Sequence, residues 1–171
     1  MVFTGNGKGK TTAAIGQAVR AVGAGKRVFM IQFIKSEGFA SGEDGVLRSL
    51  SPHLHFEKGG LGFVGILGDT LPLASHKRAA KQVLAKAKAA ALSGDYDLVI
   101  LDEINTALDL HLLTLDEVTG FLESVPKELD LVFTGRYAHS EILYRADLIT
   151  QYEEVVHPFQ SRVPARRGIE Y

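Results

Sequence analysis

Two kinds of apolar pattern alternate along the chain. Short, nearly continuous apolar runs read as strands: VFT (2–4), VFMIQFI (28–34), LVIL (98–101) and LDLVF (129–133), with LHF (54–56) and DLITQY (147–152) as weaker candidates. Unbroken runs of this length suit a parallel sheet covered on both faces, where no strand position meets water. Between them, apolar residues return every three or four positions, the spacing of helices. The first predicted helix spans 11–24, with Ala14, Ala18 and Val22 on one side and Gly25 as its stop. A second spans 76–92, with Ser75 as N-cap and Val83, Leu84, Ala87 and Leu92 on one face. A third spans 115–125, where Thr114 and Glu117 have the spacing of a capping box. Strand and helix alternate throughout, which predicts an α/β fold with a mainly parallel sheet and flanking helices.

One stretch fits neither period. Residues 58–73 carry Gly59, Gly60, Gly62, Gly65 and Gly68, and a long irregular segment inside a compact domain is usually functional or mobile.

Composition narrows the class. The chain has 171 residues, 46% hydrophobic and 23% charged, with net charge −1 and no cysteine. That length fits one domain, taken as residues 1–171, able to bury roughly 70% of its unfolded surface. The near-neutral charge offers no footprint for nucleic acid. The lack of cysteine excludes disulfides, cysteine-ligated zinc, iron–sulfur clusters and a thiol nucleophile, and fits a cytoplasmic protein. No apolar run has the length of a membrane span, and no signal peptide precedes the first motif.

The candidate chemistry starts at residue 5. Gly5, Asn6, Gly7, Lys8, Gly9, Lys10, Thr11 and Thr12 (GNGKGKTT) lie between a predicted strand and a predicted helix, the setting of a P-loop. The glycines let backbone N–H groups converge on phosphate oxygens, and the helix start turns its partial positive charge toward them. Lys10 supplies a point charge and Thr11 a hydroxyl for Mg²⁺ (or Mn²⁺). Thr4 stands where the usual pattern has its first glycine. Asp102 and Glu103 follow the apolar run 98–101, at the strand end where a carboxylate can hold the metal. Thr134-Gly135-Arg136 follows the run 129–133; Arg136 fits either a phosphate contact or an ordinary surface arginine.

Other clusters point elsewhere. His53 and His55 share a strand face without a third ligand, and His76, Lys77, Arg78 and Lys81 read as a solvated helix face. No arrangement of serine, histidine and aspartate suggests a protein nucleophile.

Taken together, these segments resemble the P-loop family of ATP:corrinoid adenosyltransferases, over essentially the whole chain and in order. The matching pieces are VFTGNGKGKTTAAIG (2–16), VFMIQFIK (28–35), GE (42–43), VILDEINTAL (99–108), FTGRYA (133–138), RADLIT (145–150), HPF (157–159) and the terminal GIEY (168–171). The resemblance implies a RecA-like fold, usually a homodimer, with ATP on the loop in a reversed sense that presents its ribose C5′. It further implies that the Co(I) of a corrinoid attacks C5′, that triphosphate leaves, and that an external reductase supplies electrons. Phe63 matches the aromatic residue that, in similar enzymes, displaces the lower axial ligand of Co(II); without the resemblance Phe63 reads as a core aromatic.

The chain departs from the family pattern in places. The N-terminal helix common in relatives is not in the sequence, which reads as a short or truncated start. Gly65 stands where relatives have a tryptophan, Ser36 and Arg162 where they have glycines, and Thr106 where an aromatic is common; Arg166-Arg167 is unusually basic. Two other readings share the same loop: a P-loop kinase for a small metabolite, and a RecA-like nucleotide-dependent binding or motor protein. The first lacks an arginine-rich lid and a zinc ribbon, the second a basic stripe.

Overall fold

The computed structural model describes residues 1–66, 68–156, 164 and 166–169. Six strands form its sheet: β1 (Val2–Thr4), β2 (Val28–Gln32), β3 (Leu54–Lys58), β4 (Leu98–Asp102), β5 (Asp130–Thr134) and β6 (Ile149–Gln151). Their order is β3-β2-β4-β5-β1-β6, and every neighbouring pair is parallel. The helices are α1 (Lys10–Gly23), α2 (Asp44–Ser49), α3 (Leu73–Leu92), α4 (Ile104–Asp109), α5 (Leu115–Ser124) and α6 (Ser140–Tyr144). This is the expected α/β sheet, consistent with a RecA-like P-loop fold.

The unbroken apolar runs have a direct cause. Along β2 and β4, Phe29, Ile31, Val99 and Leu101 join one core with Val83, Leu84 and Ala87 of α3 and Phe121 of α5. The intervening Val28, Met30, Leu98 and Ile100 join a second core with Ala14, Ala18 and Ala21 of α1. Alternate side chains face opposite layers, and both layers exclude water. The alanine stripe of α1 brings that helix close to the strands. At the two edges the pattern thins. In β3, Leu54, Phe56 and Lys58 are buried while His55 is exposed, and all of β6 is exposed. Burial on one side in β3, and on neither in β6, is why these strands read weakly.

Several boundaries differ from expectation. Strand β2 ends at Gln32, although Phe33 still donates its N–H to Asp102 O at 2.9 Å. Helix α3 starts three residues early: Pro72 is its N-cap, and Ser75 N–H donates to Pro72 O at 2.8 Å. A proline before the first turn fixes φ and needs no N–H partner, so Ser75 caps nothing. The helix face read as solvated is also corrected at one position. His76 is only 3% exposed, because Asp69 folds over it with Oδ2 3.0 Å from Nε2. Helices α2, α4 and α6 have five or six residues each, too few to show a repeat. The capping box at Thr114 and Glu117 is present with both reciprocal hydrogen bonds.

Candidate active site

The carboxyl ends of β1, β4 and β5 carry the candidate residues to one edge of the sheet. Strand β5 lies between β1 and β4, so the turn after β1 and the acidic pair after β4 face each other across it.

The glycine loop is built against the chain that follows β6. Gly7 N–H donates to Tyr152 O at 2.8 Å. A Cβ on Gly5 would sit 2.3 Å from that same oxygen, and one on Gly7 would sit 2.6 Å from Glu153 O. Gly5 also has φ 95°, so both space and backbone require glycine there. Thr4, in place of the first glycine of the usual motif, is buried; its Oγ1 accepts from Ala138 N–H at 3.2 Å and its carbonyl from Tyr152 N–H at 2.8 Å. Its β-branched side chain therefore ties the loop to the segment after β5.

Helix α1 begins at Lys10 behind Gly9, which has φ 114° and no side chain to cap the first turn. The leading N–H groups are left for an anion. Lys10 is buried and curls back, its Nζ donating to Gly5 O at 2.7 Å and Gly7 O at 2.8 Å. Burial holds its ammonium below the ordinary lysine value; Glu103 and Asp102 pull the other way, and Arg136 adds to the lowering. Asn6, Lys8 and Thr12 are exposed around the loop, and Lys8 Nζ donates to Ile169 O.

Asp102 is the hub. It is fully buried and accepts from Thr11 Oγ1 at 2.9 Å and Thr134 Oγ1 at 2.6 Å on Oδ1, and from Gln32 Nε2 at 2.9 Å on Oδ2. Glu103 follows at φ 65°, a left-handed position that no glycine relieves. Its N–H donates to Thr134 Oγ1 at 2.9 Å, and its carboxylate accepts from Thr106 Oγ1. Burial first, and the neighbouring Asp102 second, push the Glu103 carboxyl above the usual range, against Thr106, Lys10 and Arg136. Two crowded carboxylates beside a hydroxyl are hard oxygen donors that favour a cation. Gln32 Oε1 and Asn105 Nδ2, on residues flanking the hub, are buried without a partner. Such orphans call for a water, ion or ligand. Among the described residues no cluster of three or more His, Cys, Asp or Glu side chains forms a cage. A site with so few protein ligands fits Mg²⁺ shared with phosphates.

Arg136 is exposed after Gly135, with its N–H donated to Thr106 Oγ1 at 3.1 Å and its charge acting on both Lys10 and Glu103. It belongs to the same edge as the loop. Phe63 is not a core aromatic: it is 42% exposed, in the glycine-rich segment between β3 and α3. That segment is tied down by Gly62 N–H to Ile34 O at 2.9 Å and by Asp69, which accepts from Gly65 N–H at 2.8 Å and Leu71 N–H at 3.0 Å.

The structure also brings in residues to which sequence reasoning gave no role: Gln32, Thr134, Asn105 and Thr106. Gln32 had a signal, a lone amide inside an apolar strand run. The hydroxyls had none, because their importance depends on the order of strands in the sheet. His55 stacks on Phe29, ring centroids 5.4 Å apart, and lies 2.8 Å from Glu57, which accounts for it without a metal. HPF (157–159), Arg162 and the last two residues of GIEY lie outside the described residues. The cleft lined by Met1, Leu122, Pro126 and Asp130 sits at the opposite, amino end of the strands. Among the described residues no helix is long and apolar enough to cross a membrane.

Comparison with known proteins shows which family the chain resembles over its full length. A family profile described as "ATP:corrinoid adenosyltransferase BtuR/CobO/CobP" matches residues 1–171. The chain is 40% identical over 172 residues to the corrinoid adenosyltransferase of Escherichia coli (strain K12), covering 100% of this chain and 84% of that protein. It is 38% identical over 172 residues to corrinoid adenosyltransferase CobA of Salmonella typhimurium, with the same 100% and 84% coverage. It is 34% identical over 171 residues to the corrinoid adenosyltransferase of Pseudomonas aeruginosa, covering 100% of this chain and 82% of that protein.

Proposed function

The chain belongs to the ATP:corrinoid adenosyltransferase family, and from that premise we propose that it transfers the 5′-deoxyadenosyl group of ATP to the Co(I) of a corrinoid, in the formation or salvage of adenosylcobalamin. The observation that carries the reading is the joining of the GKT loop to the acidic pair, through the 2.9 Å hydrogen bond from Thr11 to Asp102. That contact supports the reading, because a loop that holds phosphate and an acid that holds its metal must lie side by side.

The reaction forms a Co–C bond with the electron pair of Co(I). It breaks the bond from C5′ to the triphosphate oxygen, which leaves with its own electron pair. The attacking atom belongs to the substrate, so the protein's work is orientation and charge stabilisation, and orientation alone is worth roughly 7–11 kcal/mol. Loop N–H groups between Gly5 and Thr12 other than that of Gly7, which is given to Tyr152 O, cradle the triphosphate. Lys10 exchanges its two carbonyl partners for phosphate oxygens, and Arg136 adds a second cationic group beside them. Thr11, Asp102 and Glu103 would hold Mg²⁺ (or Mn²⁺), which when bound neutralises charge on the leaving triphosphate. Thr134 and Gln32 keep the Asp102 carboxylate oriented. Phe63 meets the corrinoid and displaces its lower axial ligand before reduction by an external reductase. The reading treats residues 1–171 as one domain of a cytoplasmic homodimer that acts on neither membrane nor nucleic acid.

The test is anaerobic: protein, cob(I)alamin, ATP and Mg²⁺ are mixed, the visible spectrum followed and triphosphate assayed. A light-sensitive Co–C product with triphosphate released one for one supports the transfer. Unchanged cobalt with ADP released would move the assignment to a kinase.

A further inference from the structure

The geometry points to Phe39 as a second residue that meets the corrinoid, forming with Phe63 a two-ring apolar corner for the macrocycle; this rests on the corrinoid reading above. The two rings touch edge to face, with centroids 5.8 Å apart and planes at 87°. Both keep much of their surface in water, Phe39 at 59% exposure and Phe63 at 42%. Folding gains little from an aromatic pair left on the rim, so its fixed placement points outward, to a ligand with a flat apolar surface.

The placement is fixed from beneath. Phe39 lies in the segment after β2 and Phe63 in the segment after β3, both at the carboxyl edge that carries Lys10 and Asp102. The Lys58 side chain, 0% exposed, donates Nζ to Phe39 O at 2.7 Å and to Asp44 Oδ2 at 2.6 Å. It is the last residue of β3, so one buried ammonium links the strand that leads to Phe63 with the backbone of Phe39. On the other side Asp69 holds Gly65 N–H at 2.8 Å, two residues from Phe63. Leu61, 43% exposed, and Ile66, 59% exposed, are further exposed apolar residues of the same segment. Two rings pinned through their backbones lose little freedom when a rigid macrocycle arrives, the condition for tight binding from modest area. Phe39 is therefore a corrinoid-contacting residue and Lys58 its positioning residue.

The test compares Phe39→Ala, Phe39→Leu and Phe63→Ala with the unaltered protein. Each is titrated with cob(II)alamin in the presence of ATP and assayed for KM toward cob(I)alamin and toward ATP. Phe39→Ala should raise the corrinoid KM and Kd roughly tenfold, as for removal of one good aromatic anchor, with ATP KM and thermal midpoint unchanged. Phe39→Leu should recover part of the loss. An unchanged corrinoid KM in Phe39→Ala beside a raised one in Phe63→Ala would overturn the role of Phe39 and leave the corrinoid reading standing. No change in either variant would overturn the two-ring corner, while the corrinoid turnover that yields the KM would keep the reading above; no turnover of cob(I)alamin by the unaltered protein would overturn that reading and the corner with it. Equal losses toward ATP and corrinoid in Phe39→Ala would also overturn the proposal, since they mark a general disturbance.

Discussion

Thr11 donates its hydroxyl to Asp102 at 2.9 Å although 91 residues separate them. The same carboxylate oxygen accepts from Thr134 at 2.6 Å. The loop after β1, the acid after β4 and the threonine ending β5 thus meet at a single oxygen. Thr134→Val keeps the shape but removes that donor, along with the acceptor for Glu103 N–H. Metal affinity and turnover should fall about 10- to 100-fold, the usual cost of losing an orienting partner. Titrating Mg²⁺ against activity checks this; a wild-type midpoint would exclude Thr134 from orienting the acid.

Lys10 donates only to loop carbonyls here, so removing it disturbs little of the fold. Lys10→Ala should lower turnover by about a hundredfold to a thousandfold, as for loss of a group that meets developing charge. Its circular dichroism and thermal midpoint should match the unaltered protein. Near-normal turnover would remove Lys10 from the phosphate site.

Gly135 has φ 127°, and a Cβ there would lie 2.7 Å from Thr106 N and 2.8 Å from Thr106 Oγ1. Thr106 is the residue that bonds both Glu103 and the Arg136 backbone. Gly135→Ala should therefore damage the site more than the fold, with a larger loss in kcat than in thermal midpoint. Kinetics and melting on the same preparation separate the two.

The Asp44 carboxyl sits below the usual carboxylate range. Burial opposes this, but hydrogen bonds from Lys58 and Ser41 N–H and the charges of Lys58 and Lys35 outweigh it. A lowered folded-state value means the stabilisation is present above the unfolded value of about 3.9 and is lost as pH falls through the lower folded one. Melting curves should therefore steepen their decline below about pH 4. Asp44→Asn should be less stable at neutral pH and show a flatter acid limb. Lys58→Met, which leaves Asp44 unpaired, should cost about 3 kcal/mol. An unchanged acid limb in Asp44→Asn would show that the pair does not drive the decline.

The alternation of strand and helix was legible because both faces of the central strands are covered, making their runs unmistakable. The capping box at Thr114 was legible because its geometry is local. That the glycine loop and Asp102 would lie at one edge of the sheet was legible from their places just after apolar strand runs, and the Thr11 to Asp102 hydrogen bond joins them there. Thr134, Gln32 and Thr106 were not, because each acts on a residue reached only through the sheet order. His76 was misread because nothing local announces that Asp69 will return to cover it, and without the family resemblance Phe63 reads as core because exposure is a property of the finished surface.

The pairing of β1 has a consequence for how the protein comes into being. Val2 lies opposite Phe133 on one side and Ile149 on the other, so no neighbour of this strand precedes it or follows closely. The loop it carries is braced by Tyr152. A ribosome will therefore have made nearly the whole sheet before the nucleotide loop gains either flank. Nascent chains should lack ATP affinity until the last strand emerges, and the long loop closure should make completion of this site a late, slow step in folding.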